Sequence, residues 1–276
     1  MQKQSFQSRA IYYLDNYKKR IWPLLEEGEY NHHGTIIKYD HILPKRKRNL
    51  NILPDYREAF WASEYRKINL HRFFHHLNSS QALCINLFYP LIAEGLISEV
   101  GRYINISLDH PECKFEHESE IESQYKATRK TNFDFFISDD NQRVYFEVKY
   151  TENGFGSAKN DDEHREKFNL VYKPLLLDNL YINDESKSQE FFLQHYQIMR
   201  NLVHINENST AVFVFPKHNQ RVFDQANYAY EHILTDVGRT KFHRIYLEEF
   251  IPFLMDKADA PLKHYTEFWD KYLMCV

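Results

Sequence analysis

Glycine is scarce, with seven among 276 residues, and the shortage removes whole classes of function. No Gly-rich phosphate cradle can be written; the nearest approach, Gly154-Phe155-Gly156, lacks the further glycine and the strand-to-helix turn that a nucleotide loop needs. Cysteine is rarer still. Cys84, Cys113 and Cys275 are odd in number and far apart, which excludes a disulfide framework and a four-cysteine metal site and points to a reducing compartment. There is no excess of positive charge either: 35 Lys and Arg face 39 Asp and Glu. Any polyanion must therefore be met by a local patch rather than by a global field. Long apolar runs are missing, the longest being stretches such as Ala211 to Phe215, and the first twenty residues carry no apolar signal core. The chain reads as cytoplasmic, without a membrane partner.

Aromatic residues are abundant, with 21 Phe, 20 Tyr and 3 Trp, enough for a substantial core. Helical spacing runs from Phe6 to Glu27, and a second helix is expected over Tyr56 to Leu77. Between them lies an irregular, exposed stretch with the basic run Lys45-Arg46-Lys47-Arg48. Ser79-Ser80 offers an N-cap to a third, mostly apolar helix from Gln81 to about Ala93. A short strand at Lys114 to Glu118 is followed by a hairpin: Asn132 to Ser138, a turn at Asp139-Asp140-Asn141, and Arg143 to Tyr150. Then come a helix from Gln189 to Asn206, a strand at Ala211 to Phe215 buried on both faces, a weaker strand at Lys241 to Leu247, and a terminal helix interrupted at Pro261. This order predicts an α/β fold, a central mixed β-sheet flanked by helices with an N-terminal helical extension. The expected division is 1–78 for the extension and 79–276 for the sheet-bearing domain with its C-terminal helix.

Three charged groups interrupt the apolar hairpin. Side chains alternate along a strand, so Glu147 and Lys149 share a face. The hairpin turn can bring Asp134 beside Glu147. Two adjacent carboxylates repel unless a cation intervenes, and Mg²⁺ favours one or two carboxylates together with water and phosphate oxygens. Such a cation polarises a phosphoryl oxygen and acidifies a bound water, while a nearby lysine orients that water or neutralises charge. The chemistry is metal-dependent phosphodiester hydrolysis.

Asp134, twelve intervening residues, then Glu147-Val148-Lys149 resembles the PD-(D/E)XK nucleases of the restriction-endonuclease-like fold, with Phe133 where the motif has proline. The resemblance covers roughly Ser79 to Leu247, and the helix Leu77 to Phe88 is similar to the one opening the core in a group of uncharacterised bacterial members. It implies a restriction-endonuclease-like core, with Asp134 and Glu147 as ligands of Mg²⁺ (Mn²⁺ as a substitute), the Val148 carbonyl as a further ligand, and Lys149 positioning the attacking water. A fourth acid is sought in the strand before Asp134, with Glu118 favoured over Glu120. It also implies a DNA endonuclease of restriction or defence type, and a homodimer if both strands are cut symmetrically.

Contacts to DNA are expected from Lys126, Arg129 and Lys130, close to Asp134 in sequence, and from Gln197 and Arg200 on the polar side of the later helix. The competing reading is a catalytically inactive nucleic-acid-binding or protein-interaction module on the same fold. Other chemistries lack parts: His110-Pro111-Glu112-Cys113 has no P-C-x-x-C to complete a deaminase zinc site, and neither H-E-x-x-H nor G-x-S-x-G occurs.

Overall fold

The computed structural model describes residues 4–124, 130–140, 142–257 and 261–275. The chain forms two compact units. The first comprises 1–107, 216–219 and 246–276, and the second 108–215 and 220–245, so the packing divides the chain differently from the expected boundary after residue 78. The third helix and the C-terminal helices belong with the N-terminal segment because their apolar faces pack on one another.

The first unit opens with α1 (Phe6–Ile21), shorter than the periodicity suggests, with the Ser5 hydroxyl accepting from the Ser8 N–H as its cap. A hairpin follows, β1 (Gly28–His32) antiparallel to β2 (Thr35–Tyr39), within the stretch expected to be irregular. The basic run is exposed as expected, but it lies in a 3₁₀ segment, Lys45–Asn51. The second helix is a correction: α2 (Pro54–Ala62) stops at Ser63, whose ψ of 170° is extended. Beyond it the chain is held by side chains rather than by a helical ladder. Asn51 donates to the Phe74 and His76 carbonyls, and the Gln81 side chain accepts from the His71 N–H. Tertiary partners override the helical spacing there. The apolar α3 (Ser80–Ala93) starts from the Ser79 cap as expected. It is followed by α4 (Ser98–Tyr103), which the periodicity does not reveal.

The second unit is built on a five-stranded mixed sheet. Its strands are β3 (Glu112–Glu118), β4 (Asn132–Asp139), β5 (Gln142–Val148), β6 (Ser209–Phe215) and β7 (Phe242–Tyr246), in that spatial order. β3 pairs antiparallel with β4 and β4 antiparallel with β5, while β5 and β6 are parallel. Every residue of β6 is buried, as its continuous apolar character requires. Short helices flank the sheet: α5 (Glu120–Gln124), α6 (Asp162–Lys167), α7 (Lys173–Leu177), α8 (Gln189–Gln194), α9 (Tyr196–Leu202), α10 (Gln220–Tyr228) and α11 (Asp236–Arg239). The single helix expected from Gln189 to Asn206 is two, broken at His195 (φ −108°, ψ 33°). In the first unit, α12 (Leu247–Lys257) and α13 (Leu262–Tyr272) complete the chain on either side of the Pro261 interruption. The α/β class and the mixed sheet flanked by helices are those of a restriction-endonuclease-like fold.

Candidate active site

The hairpin carrying the three charged residues has a specific defect. Phe135 pairs with Phe146, so one further step would set Asp134 against Glu147. There the ladder opens, and the Asp134 carboxylate accepts the Val148 N–H at 2.7 Å in place of a backbone partner. The neighbouring strand is distorted at the same level. Phe115 pairs with Phe135 and His117 with Phe133, while Glu116 between them has φ +53°. Side chains change sides across this step: Phe115 packs on Phe135, whereas His117 stacks on Phe136 and Phe133 joins the Phe136–Tyr145 cluster. The strained residue is an acid that faces the Asp134 position.

Glu147 is buried, at 5% exposure, and it is held from two directions. Lys149 Nζ reaches its Oε1 at 2.7 Å. From α9, Gln197 Nε2 donates to Oε1 at 2.6 Å and Asn201 Nδ2 to Oε2 at 3.3 Å, the i, i+4 spacing placing both amides on one helix face. Gln197 is itself fixed, because its Oε1 accepts from the Gly156 N–H at 3.1 Å and its backbone N–H donates to the Gly156 carbonyl. Gly154 supports that loop: its φ is +91°, and a Cβ there would run into the Gln225 side chain that accepts from the Phe155 N–H.

The electrostatics follow from this crowding. Burial and then the Glu147 charge hold the Asp134 carboxyl well above the ordinary carboxylate range, and Glu116 adds to the effect. Burial alone would lower Lys149, but Glu147, Glu152 and Asp134 outweigh it and push the ammonium up to about 12. Phe155 covers the lysine, its ring centre 5.6 Å from Nζ. The Lys149 N–H goes to the Val214 carbonyl on β6, so the N–H and C=O of Val148 face the β4 side, where Asp134 lies.

This donor set suits a hard divalent cation. Two carboxylates lie close enough for one to raise the other's proton affinity, and a backbone carbonyl points the same way. Among the described residues no group of three or more His, Cys, Asp or Glu side chains could hold a metal.

At the start of β4 lies a buried polar network that the sequence does not announce. Glu122, fully buried, accepts from the Thr131 N–H at 2.8 Å and from the Thr131 hydroxyl. Arg200 Nε donates to the same hydroxyl at 3.0 Å. His204 meets the Ser119 hydroxyl at 2.7 Å and lies 3.9 Å from Glu122; burial pushes it down to about 4. The network ties the start of β4 to α9, the helix that grips Glu147. No short-range pattern marks it, since Glu122 reads as one acid among several exposed ones.

The remaining expected residues fall as follows. Glu118 is exposed, opposite Asn132, and pairs with Lys130 at 3.3 Å; Glu116 is the β3 acid whose charge bears on Asp134. Gln197 and Arg200 are engaged inside the unit, on Glu147 and Thr131, with the Arg200 guanidinium over the Tyr196 ring. Lys126 and Arg129 lie outside the described residues. Among the described residues no helix is long and apolar enough to cross a membrane.

No curated protein and no solved structure matches the chain. A family description does match, from residue 18 to residue 273, nearly the whole length and including every residue of the site. The chain belongs to the family described as Restriction Endonuclease associating with ARP, in keeping with the restriction-endonuclease-like fold and its Asp134, Glu147 and Lys149 cluster.

Proposed function

We propose that the protein is a metal-dependent deoxyribonuclease of restriction or defence type that hydrolyses phosphodiester bonds at Asp134, Glu147 and Lys149. The observation that carries the reading is the pairing of two carboxylates whose repulsion persists beside Lys149 and raises the proton affinity of Asp134, so that a divalent cation taking the place of that proton would relieve it. Asp134, Glu147 and the Val148 carbonyl would hold Mg²⁺, or Mn²⁺ in its place. The ion when bound supplies Lewis acidity toward the phosphoryl oxygen and acidifies a coordinated water. Gln197 and Asn201 fix the rotamer of Glu147. Lys149, its ammonium pushed up to about 12, holds its proton at neutral pH, so it orients water and stabilises developing phosphorane charge rather than acting as a base. The family's name supports DNA as the substrate.

The alternative, a binding module without cleavage, draws on the three donors already engaging Glu147. A carboxylate has about four lone-pair sites, which leaves capacity for a cation. Incubation of supercoiled plasmid with Mg²⁺ tests the reading. Relaxation or linearisation by the wild type, lost in Asp134→Ala and Lys149→Ala, is expected. Binding without cleavage over a range of DNA and RNA substrates would establish the module instead.

A further inference from the structure

The chain carries a net charge of −4, yet its charge is unevenly distributed. Residues 41–93 hold eight Lys and Arg against three acids, and no acid occurs between Asp40 and Asp55 or between Glu64 and Glu94. The fold of the first unit joins these two acid-free stretches. Ile42 and His76 form an antiparallel bridge, the Leu43 N–H donates to the His75 carbonyl at 2.9 Å, and the Leu77 N–H donates to the His41 carbonyl at 2.9 Å. The basic 3₁₀ segment begins two residues after Leu43 and the turn 72–75 leads into His76, so both basic stretches adjoin this bridge. The proximity has an electrostatic trace: after burial, Lys45 and Arg48 are among the groups that lower the His75 imidazole.

Lys45, Arg46, Lys47, Arg48 and Arg72 are all exposed. Arg46 is taken by Glu26, while Lys45, Lys47 and Arg48 have no ion-pair partner among the described residues. Two acids of the same unit are already engaged, Asp40 with Lys19 at 2.7 Å and Asp15 with His41 at 3.1 Å. Arg72 Cζ sits over the Phe73 ring, 4.4 Å from its centre, a contact that favours this placement of the guanidinium. The segment beneath is rigid, because the Asn51 amide closing the basic 3₁₀ stretch is buried and donates to two carbonyls of the partner stretch. Unpaired cations on a preorganised support, on an otherwise acidic protein, are the footprint of a polyanion site.

We propose that Lys45, Lys47, Arg48 and Arg72 form a binding site for the phosphate backbone of double-stranded DNA. The choice of DNA over another polyanion rests on the nuclease reading above. The site contributes affinity and register, not sequence readout, since its groups are point charges suited to phosphate oxygens.

The test uses the full chain, a fluorescently labelled duplex and EDTA, with anisotropy followed over a salt series. The variant Lys45→Ala/Lys47→Ala/Arg48→Ala/Arg72→Ala is expected to bind about tenfold or more weakly, with a salt slope shallower by roughly 0.9 for each phosphate that is no longer neutralised. A control of equal charge change, alanine at Lys187, Lys241, Lys257 and Lys263, is expected to bind like the wild type. Equal losses in the two variants, wild-type affinity in the first, or stronger and equally patch-dependent binding of an RNA probe would each overturn the proposal. A second measurement needs no variant: in the wild type, duplex must shield Lys45 and Lys47 from acetylation, read by mass spectrometry, and unprotected lysines would overturn it. Cleavage is scored separately. A protein that binds DNA through this patch and cuts none refutes the nuclease reading and leaves the patch standing.

Discussion

Both units bury lysines, and Lys271 of the first and Lys149 of the second are handled in opposite ways. Lys271, in the first unit, is 1% exposed and donates to the Asn51 carbonyl and side-chain oxygen, both at 2.7 Å. Its surroundings offer neutral oxygens, and burial pushes its ammonium well below the ordinary lysine range. Asn86 completes that network by donating to the Asn51 carbonyl and accepting from the Leu53 N–H, so the lysine belongs to a set of bonds tying distant segments together. Lys149, in the second unit, is 7% exposed and lies among acids that push it up to about 12. A group that only holds a fold together is satisfied by dipoles. A cluster that keeps like charges adjacent retains an unfavourable arrangement that folding alone does not need, which is the mark of a site.

This contrast can be broken by substitution. The largest expected effect is on turnover: Lys149→Ala should reduce plasmid cleavage by about 10²-fold to 10³-fold, the range for losing one preorganised donor. Lys271→Met should leave turnover per folded molecule unchanged, and loss of cleavage there would erase the distinction. Next comes stability. Lys149→Ala leaves Glu147 buried without its cation and should lower unfolding free energy by about 3 kcal/mol in urea titrations. Lys271→Met removes a poorly solvated cation and leaves Asn51 Oδ1 without a donor, two opposed effects that should nearly cancel.

A smaller effect concerns Asp134 in metal-free protein. Its folded proton affinity is raised, so the folded state keeps a proton the unfolded chain sheds, and stability declines as pH climbs from the ordinary 3.8 through the folded value. Asp134→Asn removes that decline. At neutral pH in EDTA it should melt about 2–4 °C above the wild type, the gap closing toward pH 4. The smallest effect lies in the buried network. His204 is pushed down to about 4, so its contribution is complete above 6.5 and lost as pH falls below that. His204→Gln should show a shallower loss of stability over this acid range.

The sequence made the charged hairpin legible because its determinants are local: a turn signal, two alternating strands, and charges where apolar residues belong. The grip on Glu147 was not legible. Gln197 and Asn201 stand out as a polar helix face, but only the break at His195 and the parallel placement of β6 beside β5 determine what that face meets. From the sequence the fourth acid is sought at Glu118 or Glu120, whereas the β3 acid whose charge bears on Asp134 is Glu116, which sits at a backbone distortion that no spacing encodes. The over-extended helix after Tyr56 failed for a similar reason, since Asn51, distant in sequence, claims the carbonyls that a helix would have used.

The central claim, that Asp134 and Glu147 are held together for a shared cation, is tested most directly by calorimetric titration of Mn²⁺ into metal-free protein at mildly acid pH in buffers of different ionisation enthalpy. Binding with release of a proton from Asp134 is predicted, with a heat that changes with the buffer and disappears in Asp134→Asn. Absence of binding, or binding that survives unaltered in Asp134→Asn, would contradict the account.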